Sequence, residues 1–114
     1  MPLLSIETNV ELESDARGRL LEEASRSVAD MLGKPEQYVM VRLSCNPDMR
    51  FAGTDEPLAY LELKSLGLPE DSTAEYSSRL CELLQQHLGV PAARTYIEFT
   101  NGVRHLWGWN GATF

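Results

Sequence analysis

MPLLSIET, residues 1–8, opens the chain as a short apolar strand with a proline near its start. Proline lacks a backbone N–H, so it is tolerated at the beginning of a strand or on an edge strand. If Met1 is removed, the nitrogen of Pro2 becomes a secondary amine, which is a titratable base, whereas an amide nitrogen is not. Two interpretations stay open. Either Pro2 only permits removal of Met1 and starts an edge strand, or it supplies a base to a site that the rest of the chain builds.

The opening segment recurs in the second half of the chain. PLLSIE at residues 2–7 matches PLAYLE at residues 57–62, and LGKP at residues 32–35 matches LGVP at residues 88–91. The two matches are separated by nearly equal lengths of chain, which indicates an internal repeat of one βαβ unit. Because a crossover between parallel strands is right-handed, both helices are expected on the same face of one four-stranded sheet.

The fold class predicted from this repeat is α+β in two layers, with two helices on one face of the sheet and a short extra C-terminal strand. We expect one domain over residues 1–114, with its two units at about residues 2–45 and 57–100. The periodicity predicts strands at residues 3–8, 38–45, 58–65 and 95–100, helices at residues 14–32 and 72–88, and a short segment around residues 106–109.

Capping residues mark the ends of both helices. Ser14 is predicted to be the N-cap of the first helix, and STAE at residues 72–75 has the pattern of a capping box for the second. Gly33 and Gly89 are the predicted C-caps.

Two helices cover only one face of such a sheet. Strand alternation directs Ile97 and Phe99 toward the helices. The residues predicted on the uncovered face are Tyr38, Met40, Arg42, Tyr96 and Glu98. An uncovered sheet face on a small domain predicts packing against other subunits.

Composition argues against several classes of protein. The formal net charge is −7 and the sequence pI is near 4.7. An acidic surface repels phosphate backbones, so nucleic acid is not an expected partner. No signal-peptide pattern and no apolar run long enough to cross a bilayer occurs, so we expect neither a secretory signal nor a membrane span.

The cysteines and histidines do not form a reactive pattern. Cys45 and Cys81 have no metal or redox spacing and are predicted to be buried thiols rather than a disulfide. His87 and His105 are far in sequence from any carboxylate or cysteine pattern, so they are predicted to be surface or helix residues. We expect no metal site and no cofactor.

Several short motifs are weak alone and specific together. They are MP at residues 1–2, TNV at 8–10, GKPxQYV at 33–39, EP at 56–57, SLG at 65–67, YS at 76–77, LCxLL at 80–84, YI at 96–97 and GWNxxTF at 108–114. In this order and spacing they resemble the macrophage migration inhibitory factor and D-dopachrome tautomerase family of the tautomerase superfamily. The resemblance covers the whole chain.

The resemblance implies an assembly, an activity and a location. It implies a homotrimer in which three sheets form a barrel around a central channel. It implies a keto–enol tautomerase, an isomerase that acts on phenylpyruvate-like α-keto acids, with D-dopachrome as a further substrate. The protein is then cytoplasmic, or secreted without a signal peptide.

The resemblance also assigns site residues. Pro2 matches the family's catalytic base and Lys34 its active-site lysine. Leu66 matches a position whose backbone contacts the substrate, and Tyr96 matches a tyrosine from the neighbouring subunit. The matched pocket aromatics are Tyr38, Trp109 and Phe114.

These residue types suit enolisation. Proton transfer between carbon and oxygen needs a base that titrates near neutrality. An apolar pocket and the Lys34 ammonium both disfavour a protonated amine and lower its pKa. Lys34 can also hold the substrate carboxylate, Tyr96 can donate to the developing enolate, and aromatic rings can stack on the substrate. Without the family match, Lys34 equally suits a helix C-terminus, and the aromatic residues suit a strand, core or interface.

Four positions depart from the family pattern. Glu98 replaces an interface polar residue that is often asparagine, and its carboxylate would repel an anionic substrate. Trp107 replaces a small apolar residue and predicts a narrower pocket rim, so both residues are counted with the substrate-binding set. Leu58 and Leu61 occupy the cysteine positions of the cytokine homologues, so their thiol–disulfide activity is not expected here.

Two other functions remain open. One is a cytokine-like signalling protein that binds a receptor and retains vestigial catalysis; receptor binding has no support in the sequence beyond the resemblance. The other is a related proline-dependent hydrolase or dehalogenase, for which Arg42 is a loose candidate.

Overall fold

A computed structural model describes all residues, 1–114. Six strands and two long helices follow one another along the chain. The first half contains β1 (Leu3–Thr8), α1 (Ser14–Leu32) and β2 (Met40–Cys45). The second half contains β3 (Ala59–Leu66), α2 (Thr73–Leu88) and β4 (Thr95–Gly102), followed by the two-residue strands β5 (Gly108–Trp109) and β6 (Ala112–Thr113).

The main sheet has the strand order β2-β1-β3-β4. The central strands β1 and β3 are antiparallel, and each is parallel to the edge strand of its own half. The prediction of two βαβ units that share one sheet is therefore confirmed. The register places Leu3 opposite both Met40 and Lys64, so the start of β1 lies between the start of β2 and the end of β3.

Alternation along the strands divides the sheet into a covered and an uncovered face. Leu4, Ile6, Leu61 and Leu63 are almost completely buried against the helices, whose buried residues include Leu20, Ala24, Val28, Leu80 and Leu84. Ile97 and Phe99 pack against this core, as predicted. Met40 and Tyr96 are 61% and 66% exposed on the other face, where Arg42 and Glu98 are also exposed.

Tyr38 corrects part of that prediction. A 3-10 turn occupies Glu36–Tyr38, so β2 begins at Met40 and not at residue 38. Tyr38 therefore precedes the strand, and its ring packs edge-on against Trp109 with centroids 5.7 Å apart.

The C-caps are confirmed, and so is the N-cap position Ser72, whereas the N-cap prediction for Ser14 is wrong. Gly33 and Gly89 have φ of 62° and 68°, the left-handed conformation that favours glycine. Glu13 and not Ser14 is the N-cap of α1, because its carbonyl already accepts from the Arg17 N–H. Ser72 is the N-cap of α2 without a side-chain capping bond, since the preceding 3-10 turn directs its N–H to the Pro69 carbonyl.

The prediction that both cysteines are buried thiols also needs correction. Both cysteines are free, but Cys45 is exposed at the end of an edge strand and only Cys81 is half-buried. Burial raises the pKa of the Cys81 thiol. His87 is a helix residue, as predicted, and it lies 2.6 Å from Glu23, so it links α2 to α1.

The C-terminal segment forms a hairpin and not a single strand. Strands β5 and β6 pair through a turn at Asn110 and Gly111, which both have positive φ, as a type I′ turn requires. The hairpin is a separate two-stranded sheet, and it lies beside the cleft described next.

Candidate active site

A cleft of about 250 Å³ opens at the start of β1. Its lining is mostly apolar or aromatic and consists of Met1, Pro2, Leu3, Gln37, Tyr38, Val39, Met40, Trp107, Gly108 and Trp109. Pro2 is fully buried there, and its carbonyl accepts a hydrogen bond of 3.0 Å from the Met40 N–H. The proline thus extends β1 beside β2 without needing a backbone donor of its own.

The N-terminal amine belongs to a residue that lines this cleft, and its surroundings lower its pKa. In the structure the free amine belongs to Met1, and the Pro2 nitrogen is an amide. Desolvation by burial, followed by the charges of Lys34 and Arg104, lowers the pKa of the amine below its ordinary value of about 8. Burial and the two nearby cations therefore both disfavour the protonated form of the amine.

Two cations without carboxylate partners flank the amine. Lys34 follows the left-handed Gly33, and its N–H bonds the Ala29 carbonyl, which directs the chain from α1 toward β2. Arg104 begins a 3-10 turn that ends immediately before Trp107. The ion pairs of the chain are Lys64–Glu62, Arg79–Asp30 and His87–Glu23, so the charges of Lys34 and Arg104 remain available to an anion.

Three of the predicted pocket aromatics form one cluster. Trp109 is stacked on Phe114, with centroids 5.7 Å apart and planes at 13°, while its other contact is the edge-on ring of Tyr38. Trp109 remains 51% exposed, so part of the cluster is free to contact a ligand. The hairpin of β5 and β6 holds this cluster at the mouth of the cleft.

Leu66 and Trp107 meet at Gly102. Leu66 lies at the end of β3 directly opposite Gly102, and continuing the β1–β3 register brings it beside Met1. A Cβ on Gly102 would lie 2.9 Å from Leu66 Cδ2 and 3.0 Å from Trp107 Cε3. The missing side chain of Gly102 is what lets the Trp107 ring reach the cleft wall.

Tyr96 and Glu98 do not line this cleft. Both project from β4 on the uncovered face, and neither belongs to the lining of the Pro2 cleft. Tyr96 packs against Phe51. Glu98 accepts a 2.8 Å hydrogen bond from the Tyr60 hydroxyl, which also lies 3.0 Å from Glu62. These contacts, with Glu98 contributing most, raise the pKa of Tyr60.

The structure thus groups most of the predicted set and separates the rest. Pro2, Tyr38, Trp107 and Trp109 line one cleft, Phe114 stacks on that wall, Lys34 acts on the amine by its charge, and Leu66 lies behind Trp107. Arg104 and Gly102 were not predicted as site residues. The GWNxxTF motif, which begins at Gly108 a few residues after them, was the available signal that this segment reaches the site.

Neither a metal centre nor a membrane span is part of this arrangement. No group of three or more His, Cys, Asp or Glu side chains is placed to hold a metal ion. No helix has the length and apolar character needed to cross a bilayer.

The fold and the cleft define a class: a two-layer α+β protein of two βαβ units, with a buried proline and an N-terminal amine whose pKa is lowered by burial and by the charges of Lys34 and Arg104. Comparison with known proteins agrees. The family described as macrophage migration inhibitory factor matches residues 1–114. A macrophage migration inhibitory factor homolog of Trichinella spiralis is 35% identical over all of both chains, and the Mus musculus factor is 36% identical over 100% of this chain and 99% of its own.

Solved structures extend the similarity to three dimensions. The macrophage migration inhibitory factor homologue from Prochlorococcus marinus is 46% identical, with a TM-score of 0.91 over 98% of each chain. The Toxoplasma gondii factor is 34% identical, with a TM-score of 0.92 over 98% of this chain and 99% of its own. The chain belongs to the macrophage migration inhibitory factor family. Membership supports a tautomerase-type isomerase or cytokine-like function and a homo-oligomeric assembly.

Proposed function

We propose that this protein is a keto–enol tautomerase for phenylpyruvate-like α-keto acids, with D-dopachrome as a further substrate and Pro2 as general base after removal of Met1. The observation that carries the proposal is the lowered pKa of the amine in an apolar cleft between Lys34 and Arg104. A tautomerase must take a proton from one atom and return it to another, and a base that titrates near neutrality does both.

Removal of Met1 moves the free amine onto Pro2. Pro2 is fully buried beneath Met1, so its nitrogen becomes the innermost basic atom of the cleft. The causes that lower the pKa of the Met1 amine, burial and two nearby cations, act on the same small region. The uncharged secondary amine then abstracts the proton from the carbon or enol oxygen of the substrate.

The remaining cleft residues fit an aromatic α-keto acid. Lys34 pairs with the carboxylate as a point charge, and Arg104 adds a second cation at the same end. Tyr38, Trp109 and Phe114 offer ring faces and edges to the phenyl group. Trp107 narrows the cleft, and the Leu66 backbone borders its inner end. Proton transfer is favoured because these contacts fix the reacting carbon near the amine.

The proposed assembly is a homotrimer in which Tyr96 completes a neighbour's site. Tyr96 and Met40 are large exposed side chains on the uncovered face or its edges, which a single chain leaves open. In the trimer the Tyr96 hydroxyl donates to the developing enolate. The Tyr60 hydroxyl holds the Glu98 carboxylate, which limits its repulsion of an anionic substrate.

The experiment pairs intact mass with an enol–keto assay on the same sample. We expect a mass lower by one methionine and conversion of phenylpyruvate. Pro2→Ala supplies a primary amine with a different pKa and geometry, and we expect about a hundredfold lower kcat/KM from the loss of a positioned base. Arg79→Lys, on the helical face, is the matched control. A processed protein that is inactive, or a fully active Pro2→Ala variant, contradicts the proposal.

A cytokine-like role is the second candidate, favoured by the similarity to the Mus musculus factor. It does not include thiol–disulfide chemistry, because Leu58 and Leu61 are buried core residues. The proposed location, cytoplasmic or secreted without a signal peptide, suits both functions. A purified receptor-binding assay decides it: binding that survives Pro2→Ala supports the role, and absence of binding by the parent protein rejects it.

A further inference from the structure

The segment between β2 and β3 carries an aromatic residue to the start of β4. Phe51 and Thr54 exchange two backbone hydrogen bonds of 3.0 Å each, which closes a tight turn. Ala52 and Gly53 have positive φ of 52° and 77°, so the turn is built on a conformation that alanine rarely adopts. A local conformation of this kind needs support from outside the turn.

Arg94 supplies that support with one side chain. Its guanidinium donates to the carbonyls of Pro57 at 2.9 Å, Phe51 at 3.1 Å, Glu56 at 3.0 Å and Thr54 at 3.4 Å. Its Cζ also lies 5.4 Å from the centroid of the Phe51 ring. Arg94 has no ion-pair partner, so its planar fork is used to tie this loop to the chain two residues before Tyr96.

Phe51 connects the loop held by Arg94 to Tyr96 through a contact between their rings. The two rings meet edge-on, with centroids 4.8 Å apart and planes at 67°. Tyr96 is 66% exposed, and a tyrosine so exposed would otherwise exchange freely among rotamers. An edge-on aromatic contact of this kind changes the population of one rotamer by about two- to tenfold.

We infer that Arg94 and Phe51 are positioning residues for Tyr96, holding its hydroxyl in the direction in which it leaves the subunit toward a neighbour's cleft. The inference rests on the proposed function, in which that hydroxyl donates to the enolate. Neither residue lines the Pro2 cleft of its own chain. Arg94 fixes the loop and one side of the Phe51 ring, and Phe51 fixes the Tyr96 ring.

The first test is a double-mutant cycle on kcat. Phe51→Leu and Arg94→Lys each remove part of the support while keeping an apolar group or a charge. We expect each to lower kcat about three- to tenfold, with KM changed less than about twofold. In a Tyr96→Phe background we expect less than about a twofold further loss, because the positioned hydroxyl is gone. Arg79→Lys, which weakens an exposed ion pair with Asp30, is the matched control.

The second test does not depend on activity. The chain has four tyrosines, so a sample labelled with ¹³C at tyrosine Cζ gives few signals, and the one lost in Tyr96→Phe belongs to Tyr96. Phe51→Leu and Arg94→Lys should shift or broaden that signal, whereas Arg79→Lys should not. Sedimentation of each variant checks that the oligomer is intact.

The outcomes separate the inference from the proposed function. If the parent protein does not convert phenylpyruvate, the proposed function fails. Independently of activity, a Tyr96 signal that is unchanged in both Phe51→Leu and Arg94→Lys shows that these residues do not position the Tyr96 ring. If Phe51→Leu costs the same factor with and without the Tyr96 hydroxyl, the loop has only a structural role. A shifted Tyr96 signal with unchanged kcat also overturns the inference, since the position of the hydroxyl would not affect the reaction.

Discussion

Gly102 is the position where a single methyl group is expected to disturb both the fold and the cleft. In Gly102→Ala the new Cβ would lie 2.9 Å from Leu66 Cδ2 and 3.0 and 3.1 Å from two ring atoms of Trp107. Carbon atoms in contact prefer about 3.5–4.0 Å. The overlap is therefore about 0.5–1 Å on two sides at once, and either the leucine or the indole ring has to move.

The cost follows from that overlap. Overpacking of a well-filled site typically destabilises by about 1–3 kcal/mol. For a chain of this size that corresponds to a fall in Tm of about 4–15 °C. The assay is thermal unfolding at one fixed protein concentration, because an oligomer's Tm depends on concentration. Since Trp107 borders the cleft, KM for phenylpyruvate should rise as well.

Two further variants make the prediction specific. Gly18→Ala is the same chemical change within α1, where an added Cβ meets nothing within 4 Å, and it should stabilise by about 0.5–1 kcal/mol. Trp107→Leu removes the ring atoms in conflict, so most of the loss should disappear in the double variant. An unchanged Tm in Gly102→Ala, or a loss that persists fully without the indole ring, would refute the steric argument.

Three more predictions concern charge and packing. Lys34→Ala and Arg104→Ala each remove a cation that disfavours the protonated amine, so the pKa of the amine should rise. The ascending limb of the profile of kcat/KM against pH should then move to higher pH. Lys34→Ala should also raise KM about tenfold, because the contact with the substrate carboxylate is lost. Tyr60→Phe removes the hydrogen bond that contributes most to the lowered pKa of Glu62, so a carboxyl ¹³C titration should show that pKa moving up. Leu61→Ala leaves a cavity at a fully buried position and should cost about 2–5 kcal/mol in denaturant unfolding, whereas a loss below 1 kcal/mol would contradict the assigned core.

Local patterns were sufficient for the framework of the fold. The alternation of apolar and polar residues predicted β1 at residues 3–8 and assigned Ile97 and Glu98 to opposite faces of the sheet. This works because successive side chains of a strand point to opposite faces and only one face is buried. Gly33 and Gly89 were predictable because a left-handed C-cap selects glycine. The internal repeat predicted two βαβ units, and the right-handed crossover of each unit predicted that both helices lie on the same face of one shared sheet.

Features that depend on contacts distant in sequence were not predictable in this way. Pairing of His87 with Glu23 spans 64 residues, and the Arg94 contacts reach back about 40 residues to a loop. Ser72 is the N-cap of α2, as the STAE pattern predicts, but the capping box does not form, because the preceding 3-10 turn engages the Ser72 N–H. The pairing of β4 with β3 places Gly102 opposite Leu66, and the charge of Arg104, in the turn that follows, acts on the N-terminal amine; neither relation is visible in the local sequence.

The candidate site was predicted mainly through resemblance to a family. From the residues alone, Lys34 was as well explained by a helix end as by a site, and Phe114 by a core position. The structure gives an independent reason to assign Lys34 to the site, since its charge contributes to the lowered pKa of the N-terminal amine. Tyr96 lies outside the cleft of its own chain, so no argument within one subunit assigns it a part in the reaction.

The most direct test of the central claim is the pKa of the N-terminal amine itself. A ¹⁵N-proline-labelled sample, shown by intact mass to lack Met1, is titrated by NMR while the Pro2 nitrogen is observed. We expect one titration with a pKa well below that of an ordinary secondary amine, and we expect this pKa to rise in Lys34→Ala and in Arg104→Ala. A Pro2 nitrogen that titrates at the ordinary value, or that is indifferent to both substitutions, would contradict it.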